Sequence, residues 1–422
     1  MNAEASVCLA HPTGNTFSRA LIKELESQAL LHSFHTTIGF TGDSAVNRFL
    51  PKKMRRELGR RTFETQDPSR LYTYPCLELF RHLVAQLGWR QAYQHENAVF
   101  SFDRVAQDFD KKVSRFLEKN AATIQLVYAY EDAALESFRV AQAQGIHRIY
   151  DLPIAYWKTA STLLSEERER CPEWAFSLVG VDDSVAKRER KDAELALAEC
   201  VVCPSAFVAD SLPSAVRSYI PIHVIPFGSP QSKTSVSRID CNPNRPLKLL
   251  FAGTLGQRKG LGDLFAAMRL LNRSDVELHL IGTLLEDISV YRKHYAGFIY
   301  EPTRPHAEML ELMGSCDVLV LPSIVEGRAL VMQEALSMGL PLIITPNTGG
   351  ADLVNDGAAG FLVPIRSPEA IAEKIAWFAD NREQLESMRS ACIYKAQELS
   401  WRAYQTRLSG IIHQMLSKSA VR

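Results

Sequence analysis

Two glutamates separated by seven residues, Glu326 and Glu334, sit in the stretch Pro322–Gly339, PSIVEGRALVMQEALSMG. The stretch follows an apolar run and enters a helical pattern. A helix whose first turn is Arg328–Val331 leaves backbone N–H groups unpaired, which makes a site for an anion or a hydroxyl. Gly327 lets a ligand approach the backbone closely. Glu326, in the loop, can accept hydrogen bonds from sugar hydroxyls or offset a developing cation. Glu334, about one turn beyond Leu330, can take a vicinal diol such as a ribose. A plainer reading stands beside this one, with Glu326 as a cap and Glu334 as a solvated helix residue.

Other polar residues fall just past apolar runs. Ala10-His11-Pro12-Thr13-Gly14-Asn15 follows the first run and precedes a helix starting near Phe17. Glu131 and Asp132 follow Thr123–Tyr130, and Asp151 ends Ile146–Asp151. Acids at such positions also suit the first turn of a helix. Pro51–Arg61, PKKMRRELGRR, holds six basic residues and one acid, among them Lys52, Lys53, Arg55 and Arg56. It reads either as a solvated face or as an acceptor-side patch for an anionic glycan, a lipid diphosphate or a membrane surface. Cys200 and Cys203 lie in an apolar run with no second pair at zinc-site spacing, so they read as core residues rather than metal ligands.

The elements that must position these residues alternate regularly. Lys248–Gly253, Val276–Gly282, Asp317–Leu321 and Leu340–Thr345 read as strands buried on both faces. Leu261–Leu271, His306–Met313, Leu330–Met338 and Pro368–Asn381 read as the intervening helices. That alternation predicts a doubly wound parallel α/β domain. Ser6–Ala10, Thr123–Tyr130, Ile146–Asp151 and Cys200–Cys203 repeat the theme in the first half. Ser229–Pro246 is polar, contains three prolines and lacks periodicity, so it reads as a linker. Two such domains facing each other would hold ligands on their strand-to-helix loops. The chain has 422 residues, 46 % hydrophobic and 23 % charged, with 48 basic residues balancing 48 acidic ones. This composition excludes collagen-like and mainly disordered classes and provides no overall field for nucleic acid. With no apolar run long enough to span a bilayer, a cytoplasmic protein is expected.

The Glu326–Glu334 spacing, flanked by VLPS and LSMGLPLIITPNTGG, resembles the retaining glycosyltransferases of family 4. FAGTLGQRKG (Phe251–Gly260) and GFLVP (Gly360–Pro364) extend the resemblance in register. It implies a GT-B architecture of two Rossmann-like domains around a cleft. The expected division is an acceptor domain over 1–228, a linker over 229–246 and a nucleotide-sugar domain over 247–395, with a C-terminal helix over 396–422 returning to the first domain. The resemblance implies that Arg258 and Lys259 neutralise the donor diphosphate, as a doubly charged leaving group requires. Glu334 would hold the ribose. Glu326 and the amides of Gly327, Arg328 and Ala329 would hold the transferred sugar, and Thr254, Leu330 and Val331 would lie on the donor side. Gly14 and Asn15 would approach the donor across the cleft, and Asp151 would bind or polarise the sugar or acceptor. Glu131 and Asp132 are weaker candidates on the acceptor side.

The chain departs from the family pattern at three places. Thr254 stands where many members have an arginine, Arg328 and Ala329 replace an aromatic residue and a glycine, and Ala351-Asp352 replaces a frequent glutamate. Arg328 is therefore a candidate contact for a charged sugar or the diphosphate. The expected activity is transfer of a sugar from a nucleotide diphosphate sugar to a hydroxyl of a glycan, lipid-linked or small-molecule acceptor, with retention. A front-face mechanism would need neither a divalent metal nor a further cofactor. Peripheral contact with an anionic inner membrane face is included in this expectation. The alternatives are a sugar-nucleotide epimerase of the same architecture and a degenerate, non-catalytic glycan-binding subunit.

Overall fold

A computed structural model describes residues 6–41, 61–94, 96–178, 183–231, 245–354 and 357–419. Lys52, Lys53, Arg55 and Arg56 lie outside the described residues, as does most of the expected linker. In the first half, strands β1 (Val7–Ala10), β2 (Leu31–Thr36), β3 (Leu71–Thr73), β4 (Leu126–Tyr130), β5 (His147–Asp151), β6 (Cys200–Cys203) and β7 (Ile222–Val224) form a seven-stranded sheet. Its order is β3-β2-β1-β4-β5-β6-β7, with every pair parallel.

The second half repeats the arrangement with β8 (Leu247–Leu255), β9 (Val276–Leu284), β10 (Phe298–Pro302), β11 (Val318–Leu321), β12 (Leu342–Ile344) and β13 (Gly360–Leu362). The six-stranded order is β10-β9-β8-β11-β12-β13, again all parallel. In both sheets the order reverses beside the first strand, between β1 and β4 and between β8 and β11. A crevice opens at such a switch point beyond the carboxyl ends of the strands. The loops after β1, β8 and β11 carry the Gly14, Lys259 and Glu326 stretches.

Burial explains the strands. β1, β4, β6, β11 and β12 are buried at every residue, as strands sandwiched between helix layers must be. β2, LHSFHT, escapes an apolar pattern because its buried polar side chains bond one another. The two nitrogens of His35 pair with the Ser33 and Tyr74 hydroxyls. Cys200 and Cys203 are buried core residues of β6.

Helix α1 (Thr16–Ser27) starts at Asn15, whose side chain accepts the Ser18 amide in a capping box. Helix α2 (Trp157–Arg170) follows β5, and helix α3 (Val185–Leu197) precedes β6. Helix α4 (Leu330–Ser337) follows β11. It opens at Leu330, where the apolar pattern placed it and two residues after the first turn read from Arg328, because Ala329 is still extended at φ −65°, ψ 110°.

The last described helix, α5 (Trp401–Ser419), buries Tyr404, Leu408, Ile411, Ile412 and Met415 in the core that holds Val7, Leu9 and Leu21 of the first half. Gln405 donates to the Ala20 carbonyl, and Arg402 pairs with Glu24 at 2.9 Å. Ala396 belongs instead to the preceding helix, Gln384–Glu398, and packs in the second-half core. Among the described residues no helix is long and apolar enough to cross a membrane.

Candidate active site

The loops after β8 and β11 are joined edge to edge. The amides of Ile324 and Val325 donate to the Arg258 carbonyl at 2.9 and 3.3 Å, and the Glu326 amide donates to the Asn347 carbonyl. This brings the Lys259 ammonium within 2.6 Å of the Glu326 carboxylate and the Arg258 guanidinium within 3.3 Å of the same oxygen. The Lys259 side chain reaches Glu326 by crossing the end of β8 at Gly253. A Cβ there would lie 3.0 Å from Lys259 Cε, and the φ of +132° suits glycine alone.

Both halves contribute to the crevice in front of this pair, which measures about 390 Å³. Phe17, Pro153, Ile154 and Phe227 face Gly253, Lys259, Glu326, Ala329, Leu330 and Glu334. Gly327 makes the contact between halves possible, since a Cβ there would sit 1.7 Å from the Pro153 carbonyl oxygen. The Ser205 hydroxyl donates to the Gly327 carbonyl at 2.7 Å. No side chain caps Ala329, so the first amides of α4 lack the partner a capped helix would have.

A larger cleft of about 1250 Å³ adjoins this crevice through Leu330 and Glu334. Gly14, Asn15, Arg19 and Lys23 line its first-half wall. Gly14, at φ +61°, packs on the Phe63 ring. Its amide donates to His11 Nδ1, and Asn15 bonds the other ring nitrogen. Burial, assisted by Arg61, depresses the His11 pKa to about 3, so His11 anchors the loop as a neutral ring.

Glu334 bonds His306 at 2.9 Å, and that bond raises the histidine pKa above its usual 6.5. Sequence reasoning missed His306, whose partner is distant in the chain. Its place at the start of the helix His306–Gly314 was the only available signal.

Several expected contacts are placed elsewhere. Arg328 lines the crevice, but its guanidinium is fully buried. It donates to the Gly349 carbonyl and, through both terminal nitrogens, to Asp352. Two departures from the family pattern thus satisfy each other, and the guanidinium expected to contact a charged sugar or diphosphate is bonded within the fold. Thr254 is exposed on β8, with Thr283 beside it on β9 in register.

Asp151 is buried under α5 and accepts a 2.5 Å bond from the Tyr128 hydroxyl. Burial raises its pKa to about 7, against the lowering effect of that bond. Pro153 and Ile154, rather than Asp151, line the crevice. Glu131 and Asp132 turn toward α3, where Lys191 and Arg190 neutralise them at 3.1 and 2.9 Å. Burial still raises the Glu131 pKa to about 6, with Lys191 pulling it down.

The chain also contains one Asp-x-Asp triplet, Asp108-Phe109-Asp110, which is committed to structure. Asp110 accepts the Glu136 and Ser137 amides, and Asp108 pairs with Lys112. Among the described residues no group of three His, Cys, Asp or Glu side chains is arranged to hold a metal ion.

Residues 236–398 match the family model described as glycosyl transferases group 1. The amylovoran biosynthesis glycosyltransferase AmsK of Erwinia amylovora is 24% identical over 178 residues, 35% of this chain and 42% of that protein. The chain spans about half the length of the curated relatives it matches. Sucrose-phosphate synthase from Thermosynechococcus elongatus superposes with a TM-score of 0.64 at 17% identity, over 98% of this chain and 100% of that one. Anabaena Alr3699/HepE, solved in complex with UDP and glucose, gives 0.62 at 14% identity, over 97% and 100%. Residues 236–398 are therefore a glycosyl transferases group 1 domain, set in a chain with the GT-B fold.

Proposed function

We propose that this chain is a retaining glycosyltransferase. It would move a sugar from a nucleotide diphosphate sugar to a hydroxyl of a glycan, lipid-linked or small-molecule acceptor. The observation that carries the reading is the Lys259–Glu326 contact at the crevice between the two sheets, beside an uncapped helix start. An anionic ligand arriving there meets two cations and two or three backbone amides. A lysine paired with a carboxylate at a crevice can exchange part of that contact for a phosphate oxygen.

In this reading Glu334 takes the ribose diol, displacing or sharing with His306. Arg258, Lys259 and the amides of Leu330 and Val331 hold the diphosphate. The bond from the anomeric carbon to the phosphate oxygen breaks as negative charge gathers on the diphosphate, where fixed cations stabilise it most. Glu326 orients the sugar hydroxyls and offsets positive charge at the ring. The acceptor hydroxyl attacks from the face the diphosphate leaves, and its proton passes to the departing phosphate oxygen. Configuration is kept, and no step requires a metal. Gly14 and Asn15, on the first-half wall of the adjoining cleft, would approach the donor from across it.

A screen of nucleotide sugars by ligand-observed NMR, followed by transfer assays with the donor selected, tests the reading. Selective binding of one donor that Lys259→Ala abolishes is the expected result. Full transfer activity in folded Lys259→Ala and Glu326→Ala variants would show the site to be elsewhere.

A further inference from the structure

The loop that carries Arg258 and Lys259 rests its back on the first half of the chain. Gln257, next to the two cations, is completely buried and uses every polar group it has. Its amide nitrogen donates to Glu167 at 2.6 Å and to Asp263 at 2.9 Å. Its side-chain carbonyl accepts the Gly262 amide at 2.7 Å, and its backbone N–H donates to the Ser177 hydroxyl at 2.8 Å. Ser177 in turn donates to the Trp174 carbonyl.

Glu167 lies on α2, and Trp174 and Ser177 lie in the short 3-10 helix Pro172–Ser177 that follows it. All three belong to the half that carries the seven-stranded sheet, yet Trp174 packs in the core of the other half, against Phe265 and Tyr291. Arg170 bridges Glu167 and Asp263 at 2.6 and 2.7 Å, while Arg366 reaches back to Glu167 at 2.8 Å. The fit leaves no slack. A Cβ on Gly256 would lie 2.9 Å from Ser177 Cβ, and one on Gly262 would lie 2.7 Å from Trp174 Nε1.

A network this buried and this fully bonded fixes the height and direction of whatever stands on it. What stands on it is the pair of cations that meet Glu326. We infer that α2 and the turn through Ser177 are the seat of the donor loop, and that Gln257 and Ser177 are positioning residues for Arg258 and Lys259. They touch no substrate themselves. The inference rests on the proposed function, because it takes the diphosphate of the donor as the group those cations reach. Its content is that diphosphate recognition is built jointly by both halves, although the cations and both glutamates come from the second.

The test separates diphosphate recognition from the rest of the nucleotide. Binding of UDP, GDP, ADP and dTDP, each beside its parent nucleoside, is measured on the full chain by ligand-observed NMR. The pair that the unsubstituted chain binds is carried into Gln257→Ala and Ser177→Ala. The preference for diphosphate over nucleoside should fall about 10-fold in Gln257→Ala and about 3-fold in Ser177→Ala, with nucleoside affinity unchanged.

Arg245→Ala, which breaks a buried pair with Asp317 away from the loop, is the control for lost stability and should leave the preference intact. If Gln257→Ala does not fold, Ser177→Ala, which removes a single hydroxyl, decides the matter. An unchanged preference in the variants, or an equal loss for diphosphate and nucleoside, would overturn the seat while leaving the proposed function in place. Failure of the unsubstituted chain to bind any of the diphosphates would overturn the proposed function, and the seat with it.

Discussion

Carboxylates stand past strand ends in both halves, but the two halves treat them differently. In the second half Glu326 meets Lys259 and Arg258 at the wall of a crevice. In the first half Asp151 is sealed under α5 against Tyr128, and Glu131 and Asp132 are neutralised by α3. Position beyond a strand is thus insufficient to make a carboxylate functional. The next layer decides: a helix that seals the acid in, or brings cations to its back, turns it into structure, whereas a loop that brings cations across an opening leaves it within reach of a ligand.

Five substitutions bear on that contrast. The largest effect should come from Lys259→Ala or Glu326→Ala, each lowering kcat/KM about 10³-fold, the scale of removing a preorganised transition-state contact. Circular dichroism should show the fold unchanged. Asp151→Asn comes next and should act on stability. Because the folded acid titrates at about 7 and the unfolded one near 3.8, the native state binds the extra proton between those values. Stability of the parent chain therefore falls as pH rises from 4 to 8. Urea melts across that range should show the Asn variant gaining roughly 3 kcal/mol relative to the parent. An activity loss as large as that of Lys259→Ala would return Asp151 to the catalytic machinery.

Lys191→Met, which leaves Glu131 buried without its cation, should cost about 3 kcal/mol of stability with kcat preserved. The smallest effect belongs to His306. Its raised pKa means that the pair with Glu334 adds stability below pH 6.5, which is lost as pH rises through the folded value. An NMR titration should place the histidine above 6.5 and show it returning there in Glu334→Gln.

Much of the second half was legible because its strands are buried on both faces and its loops carry the motifs in order. Leu261–Leu271 is a helix over those very residues, and the strand Lys248–Gly253 extends only to Leu247–Leu255. β2 was missed because polar side chains at 33 and 35 bond each other, a pairing that an apolar pattern cannot show. The three-residue edge strands β3 and β7 were too short to carry a period. The bonds of Arg328 were hidden for a different reason. Its partner Asp352 is twenty-four positions away, and each residue looked like an isolated departure until they were seen to bond. His306 with Glu334 and Gln257 with Glu167 were hidden by the same kind of separation. Pairwise satisfaction of buried polar groups is a property of the folded chain, and local spacing does not encode it.

Helix α5 also has a consequence for the order in which this protein can be made. All seven strands of the first sheet leave the ribosome within the first 224 residues, but Tyr404, Leu408, Ile411, Ile412 and Met415 complete the core beneath them. During synthesis at about 5–20 residues per second, the apolar surface between Leu9, Leu21 and their neighbours stays open for roughly ten seconds or more while the second half is translated. The second half, whose own core is complete by Ala396, can therefore consolidate before the first is sealed.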